Sequence, residues 1–270
     1  MSSPEVTILL PNYKTPDITK ICLRLLRKYT DTSRIHVIAI DNASGDESLE
    51  YLRSLDWIEL IERPHYESES PSASHAKALD EAMARVTTPY VLSIHTDTFV
   101  RQPDWLDFLL DKIKADDNIA GVGSWKLEVK PWIKRVLKRI EYNWQSFYFP
   151  LVGKGYGSLE GKGDNFLYLR SHCALYRTDI LRKHGLSFWE DKDTAGRMMH
   201  KKLVEHGYQM NFIPSEILIK YVVHLNHATM FLNQEFKIKK HNRNKGMQRM
   251  QKVFHDLKAP EILADTSLDH

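Results

Sequence analysis

Two cysteines, Cys22 and Cys173, among 270 residues cannot build a disulfide framework, which excludes the small stapled secreted folds and points to a reducing compartment. Long apolar runs are missing too. No stretch approaches the ~20 apolar residues of a membrane-spanning helix. The N-terminal run Val6 to Leu10 is short, follows no basic region and stops at Pro11, so no export signal is expected and the location expected is cytoplasmic. A G-x-G-x-x-G dinucleotide fingerprint is absent, because Gly153, Gly155, Gly157, Gly161 and Gly163 have the wrong spacing and follow no strand. Nor does one sign of charge dominate: 38 Lys and Arg against 35 Asp and Glu leave +3, and no nucleic-acid partner is expected.

What is present describes a globular protein, 42% hydrophobic with 10% aromatics and long enough for one large α/β domain or two small ones. The charge is unevenly spread. Lys126 to Arg139 carries six Lys and Arg against one Glu, and Lys237 to Lys252 carries seven against none, so the remainder of the chain is acidic. Any attraction to an anionic surface is therefore local to these two stretches.

Short β-branched runs alternate with amphipathic stretches through the first half, the pattern of βαβ units and a mainly parallel sheet. Val6 to Leu10, Ile35 to Ile40, Ile58 to Ile61 and Tyr90 to Ile94 read as strands. Helices are expected from Pro16, over Leu49 to Leu55, over Ser72 to Val86 and from Pro103. Beyond residue 125 the rhythm changes. Ile133, Val136, Leu137, Ile140 and Trp144 share one helical face opposite Lys134, Arg135, Lys138 and Arg139, which predicts a basic amphipathic helix before the glycine-rich loop. Phe166 to Tyr176 then reads as one or two strands and Thr194 to His206 as a helix closed by Gly207. Strands follow over Gln209 to Ile213 and Ile217 to Val223, and a basic helical tail starts at Gln234.

Open parallel sheets bind ligands outside the C-terminal ends of their strands. Here those ends read Pro11-Asn12-Tyr13, Asp41-Asn42-Ala43-Ser44-Gly45-Asp46 and His95-Thr96-Asp97-Thr98, all polar and short-chained. With the helix Ser74 to Asp80 and the later Glu190-Asp191-Lys192-Asp193 followed by Arg197, they make the chain resemble the family 2 glycosyltransferases. The resemblance runs from about Val6 to His227. It implies the inverting GT-A fold, a Rossmann-like mainly parallel sheet with helices on both faces, here with a C-terminal helical extension. Residues 1–125 would form the nucleotide-sugar half of that domain, 126–230 the acceptor half and 231–270 the basic extension.

Family membership would make the donor a nucleotide diphosphate sugar and the acceptor a glycan or lipid-linked precursor. Asp41 is expected to bind base or ribose, with Pro11, Asn12, Tyr13 and Asn42 around the nucleoside, although Asp41 and Asp46 equally suit a turn and a helix cap. The family's Asp-x-Asp motif is here His95-Thr96-Asp97, which leaves Asp97 as a ligand for Mn²⁺ or Mg²⁺ and His95 as either a nitrogen ligand, a contact through water or ribose, or a hydrogen-bonded strand-end residue. His224, or His227 three residues on, is the candidate late ligand. Asp191 is the expected general base, with Trp189, Glu190 and Asp193 around the acceptor, and Arg197 either binds phosphate or pairs with Asp193. Trp125, Trp132, Trp144, Phe147, Tyr148 and Phe149 could form a sugar or lipid platform, or simply core.

Two other classes stay open at this stage: a zinc-type hydrolase built from His95, Asp97, His224 and His227, and a nucleotide-sugar-binding protein without turnover. The basic stretches could also bring the protein to an anionic membrane surface as a peripheral contact.

Overall fold

Burial of all seven residues of strand β1 (Val6–Asn12) demands cover on both faces of the sheet that it centres. A computed structural model describes residues 3–127, 140, 144, 148, 161–226, 228–233, 235–236 and 238–270. In it, β1 pairs in parallel with β2 (Ile35–Asn42) and β4 (Tyr90–Ile94), while β2 pairs in parallel with β3 (Ile58–Arg63). Strand β7 (Cys173–Arg177) is antiparallel to both β4 and β6 (Ile119–Gly123), and β8 (Gln209–Phe212) extends the far edge. The sheet thus has seven strands in the order β3-β2-β1-β4-β7-β6-β8, joining strands from before and after residue 125. A second, two-stranded sheet pairs β5 (Thr98–Val100) with β9 (Val222–His224).

Alternation along β1 divides the core. Val6, Ile8 and Leu10 face one cluster, which takes in α1 (Pro16–Tyr29), α4 (Trp105–Lys114) and the C-terminal helices, whereas Leu9 faces the other with α3 (Pro71–Met83) and the helix Arg197–Glu205. The sheet is thus mainly parallel, with helices on both faces as the alternation along β1 requires.

Several expected boundaries move. Strand β1 runs on through Pro11, which registers with Ile40. Only the last part of Phe166 to Tyr176 is strand, and Ile217 to Val223 divides into a helix, Ser215–Leu218, and β9. Strands β5 and β6 have no counterpart in the periodicity because one is three residues long and the other contains two glycines. Gly123 is required by contact: a Cβ there would lie 2.7 Å from the Cys173 carbonyl oxygen of the neighbouring strand. The expected basic helix is described only at Ile140 and Trp144, and Trp132, Phe147, Phe149, His227 and Gln234 lie outside the described residues. Among the described residues no helix is long and apolar enough to cross a membrane.

The tail is a long helix, Lys240–Asp256, followed by Ala259–Ala264 and a final turn carrying Asp269. That turn clasps α1. Arg24 donates to both Asp269 carboxylate oxygens at 2.8 and 2.5 Å and to the carbonyls of Ile262 and Leu263, and Tyr51 donates to Asp269 at 2.7 Å. Burial opposes ionisation of Asp269, but the bonds from Arg24 and Tyr51 outweigh it and hold the carboxyl below the usual carboxylate range. Removing one member of such a buried pair strands the other charge, so Asp269→Ala is expected to cost about 3 kcal/mol in urea unfolding at neutral pH. The folded-state value is the depressed one. The difference between wild type and variant should therefore be full above the unfolded aspartate pKa of about 3.9 and shrink as pH falls through the folded value.

Candidate active site

The C-terminal ends of β1, β2 and β4 open onto a cavity of about 530 Å³, closed on its other sides by the segments 64–75, 168–172 and 194–195 and by residues from His224 to Phe236. Its near end contains Pro11, Asn12, Tyr13 and Asn42, as expected, and its centre contains His95, Thr96, Asp97 and His224.

The Asp-Asn-Ala-Ser-x-Asp segment serves the loop itself. Asp41 is buried and accepts from Asn12 Nδ2 at 2.7 Å, Ser44 Oγ at 2.5 Å and the Ser44 amide at 2.9 Å. Asn12 in turn donates to Ser48 Oγ and accepts from Thr19. Asp46 caps helix α2 (Glu47–Ser54) through the Ser48 amide. Asp41's oxygens are thus engaged within the loop, it does not line the cavity, and it sets the loop that presents Asn12 and Asn42. Asn42 Oδ1 accepts from the buried Arg63 at 2.7 Å, and Arg63 also pairs with Glu69, which lines the cavity and is paired a second time by Lys77. Arg63 and Glu69 carried no sequence signal beyond a strand end and a polar loop.

The cation-binding chemistry comes together from three places. Thr98 registers with His224 across the small sheet, so β9 delivers His224 beside Asp97. His224 Nε2 lies 3.0 Å from Asp97 Oδ1 and His95 Nδ1 lies 3.7 Å from the same oxygen, and one donor atom from each residue falls within 4.8 Å of the others. Despite that proximity neither nitrogen of the buried His224 ring makes a well-formed hydrogen bond. One imidazole nitrogen from each of His224 and His95, beside the Asp97 carboxylate, makes a donor set suited to a divalent cation that accepts nitrogen and oxygen together, which fits Mn²⁺ better than Mg²⁺. Asp97 is ionised: burial opposes it, but His224 first, then His95 and the Ala228 amide at 3.2 Å, hold the carboxyl well below the usual range.

Ser171 orients His95 from behind. Its hydroxyl lies 3.0 Å from His95 Nε2 and 3.1 Å from His75 Nε2. Burial pushes His75 down to about 4 and lowers His95 well below its ordinary value. A hydroxyl has one hydrogen to donate. A cation held between Asp97 and His95 would take the His95 Nδ1 lone pair, in which case Nε2–H donates to Ser171 and the serine hydrogen passes to His75. His172 stacks on His224 at 4.8 Å with its Nε2 on Ser124 Oγ. His75 fell within the quoted helix motif without a role, and nothing in the periodicity marked Ser171 or His172.

The acidic cluster lies apart. Asp191 is half exposed, adopts a left-handed φ of 52° and pairs with Lys202 at 3.1 Å, and Lys202 also binds Glu190. Asp193 pairs with Arg197 at 2.5 Å, the structural alternative for that arginine. The Trp189 amide donates to Asp80. None of the four lines the cavity, although Thr194 and Ala195, the next residues, do.

The model of glycosyl transferase family 2 matches residues 7–185, and the chain belongs to that family. That membership leaves the zinc-type hydrolase without support. No curated protein sequence matches. Among solved structures, the chain is similar to the mannosyltransferase PcManGT from Pyrobaculum calidifontis in complex with GDP-Man and Mn²⁺, at 19% identity and a TM-score of 0.54, covering 79% of this chain and 56% of that one. It is also similar to TarS 1–349 of S. aureus, at 12% identity and a TM-score of 0.52, covering 93% of this chain and 72% of that one. At these identities the likeness is one of fold, and the chain spans little more than half of the mannosyltransferase's length.

Two outcomes follow from the geometry. Asp41→Ala should lower unfolding free energy by ~1 to 3 kcal/mol, because it removes the acceptor of the Ser44 amide and hydroxyl and of one Asn12 N–H, and should weaken nucleotide binding as the loop loosens. Ser171→Ala frees both histidine tautomers and should weaken Mn²⁺ binding by roughly 10- to 100-fold in calorimetry, the usual scale for losing a partner behind a metal-bound imidazole.

Proposed function

We propose that the protein transfers a sugar, with inversion, from a nucleoside-diphosphate sugar to a glycan or lipid-linked acceptor. The observation that carries this reading is the buried Asp97 and His224 pair, with its unmatched imidazole nitrogens, in a cavity at the ligand edge of a GT-A sheet. Asn12, Tyr13 and Asn42 would receive the nucleoside at the β1–β2 end. Asp97, His224 and His95 would hold Mn²⁺ or Mg²⁺, which when bound neutralises charge developing on the leaving diphosphate. The Ser171 hydroxyl, itself hydrogen-bonded to His75, orients the His95 ring toward Asp97.

Asp191 is the proposed base for the acceptor hydroxyl, on the turn that precedes the cavity-lining Thr194 and Ala195. Lys202 now holds its carboxylate and would have to release it before a proton could be taken up at the required ~2.6 to 3.2 Å.

A cytoplasmic location with peripheral contact to an anionic membrane belongs to the same reading. Lys239, Lys240, Lys245 and Lys252 are exposed on the tail, whereas Arg243 and Arg249 are engaged with backbone carbonyls, so fewer charges are available than the sequence total suggests.

Thermal-shift panels of nucleotide sugars with Mn²⁺ and with Mg²⁺ identify the donor, since a ligand that binds only the folded state raises its melting temperature. With that donor, Asp191→Asn is expected to lower kcat by roughly 10²-fold or more while leaving donor affinity intact, the scale on which a general base contributes. A fall of only a few-fold removes Asp191 from the chemistry, and full transfer in excess chelator would sink the cation-assisted mechanism.

A further inference from the structure

Beyond the cation triad the cavity wall carries a positive charge with no counter-ion among the described residues. Arg170 lines the cavity directly before Ser171, at the entry to β7. Its Cζ lies 4.6 Å from the Trp125 ring centroid and 5.8 Å from that of Tyr168, and the two rings meet edge to face at 5.0 Å. The aromatic pair restricts the guanidinium while leaving its N–H edge for a ligand. Among the described residues no carboxylate pairs with Arg170, and its Nε is buried without a hydrogen-bond partner. By contrast Arg63, at the opposite end of the cavity, is paired with Glu69 and Glu81. A permanently charged fork of N–H donors left unmatched at a cavity wall is complementary to an oxyanion.

Position separates this charge from the donor's needs. Following the sheet from β2 through β1 and β4 to β7, the cavity meets Asn42, then Asn12 and Tyr13, then Asp97, and Arg170 last. A donor with its nucleoside at the first of these and its diphosphate at Asp97 has its sugar, and the attacking hydroxyl, on the β7 side. We propose that Arg170 binds an oxyanion carried by the acceptor, a phosphate or a carboxylate, with Tyr168 against an apolar face of the acceptor sugar, so that the enzyme selects an anionic acceptor over a neutral one. The proposal rests on the glycosyltransferase reading for its assignment to the acceptor; the anion site itself does not.

Calorimetric titration of the full chain with a methyl hexoside, a hexose 6-phosphate and a hexuronic acid, each with and without Mn²⁺ and uridine or guanosine diphosphate, tests it. Both anionic probes are expected to bind roughly ten-fold or more tightly than the neutral hexoside, and Arg170→Gln to abolish that preference. Arg170→Lys, which keeps the charge and loses the fork, is expected to retain part of it and guards against a misfolded Gln variant. Equal binding of the charged and neutral probes by the wild type overturns the proposal. So does an Arg170→Gln variant that loses diphosphate affinity as strongly as it loses the anionic sugars, because the arginine then serves the donor. An anionic preference that depends on Arg170 in a protein that binds neither diphosphate supports the anion site and instead overturns the glycosyltransferase reading.

Discussion

A buried carboxylate must be compensated, and Asp97 draws its polar neighbours from distant parts of the chain. His95 stands two residues before it, His224 arrives through the β5–β9 register, and the Ala228 amide closes the far side at 3.2 Å. Satisfying Asp97 therefore requires that the end of β4, the small second sheet and the start of the C-terminal segment be assembled together. The same closure encloses the cavity, since the residues after His224 form one of its walls.

That wall is held from outside by the basic tail. Arg249 donates to the carbonyls of Leu225 and Asn226, and Arg243 to those of Phe231 and Phe236. On the other side Asn233 donates to the Lys14 carbonyl and Glu235 pairs with Lys14 at 3.2 Å, which ties the wall to the loop after β1. Arg24, anchoring the last turn, extends the arrangement to α1. The C-terminal helices thus act on the site through packing and backbone hydrogen bonds, and part of their positive charge is directed inward. A charge count along the sequence cannot separate arginines that clamp carbonyls from lysines that face solvent.

Residues legible in the sequence were those whose position followed from strand periodicity. The ends of β1, β2 and β4 are ligand-edge positions in any open parallel sheet, so Asn12, Asn42, Thr96 and Asp97 could be read directly. Asp41 shows the limit of that reasoning. A carboxylate at a strand end is equally suited to a ligand and to a loop, and the neighbours that decide, Asn12 and Ser44, act through side-chain geometry that spacing does not encode. Ser171, His172 and Arg170 were missed for a related reason: they fall within the run Phe166 to Tyr176 that reads as strand but precede the five residues that form one, and their partners His95, His224 and Trp125 lie tens of residues away.

The sequence by itself determined the fold class and one edge of the site. Alternating β and α periodicities admit few topologies, and a parallel sheet has only one ligand edge. Through the family resemblance it also offered a late histidine, His224 or His227, without choosing between them. Tertiary structure alone decided which side chains are consumed internally and which face the cavity. That choice depends on antiparallel registers, above all Thr98 with His224 and Ile94 with Cys173, which set long-range pairs to within one residue and hence select the groups that meet.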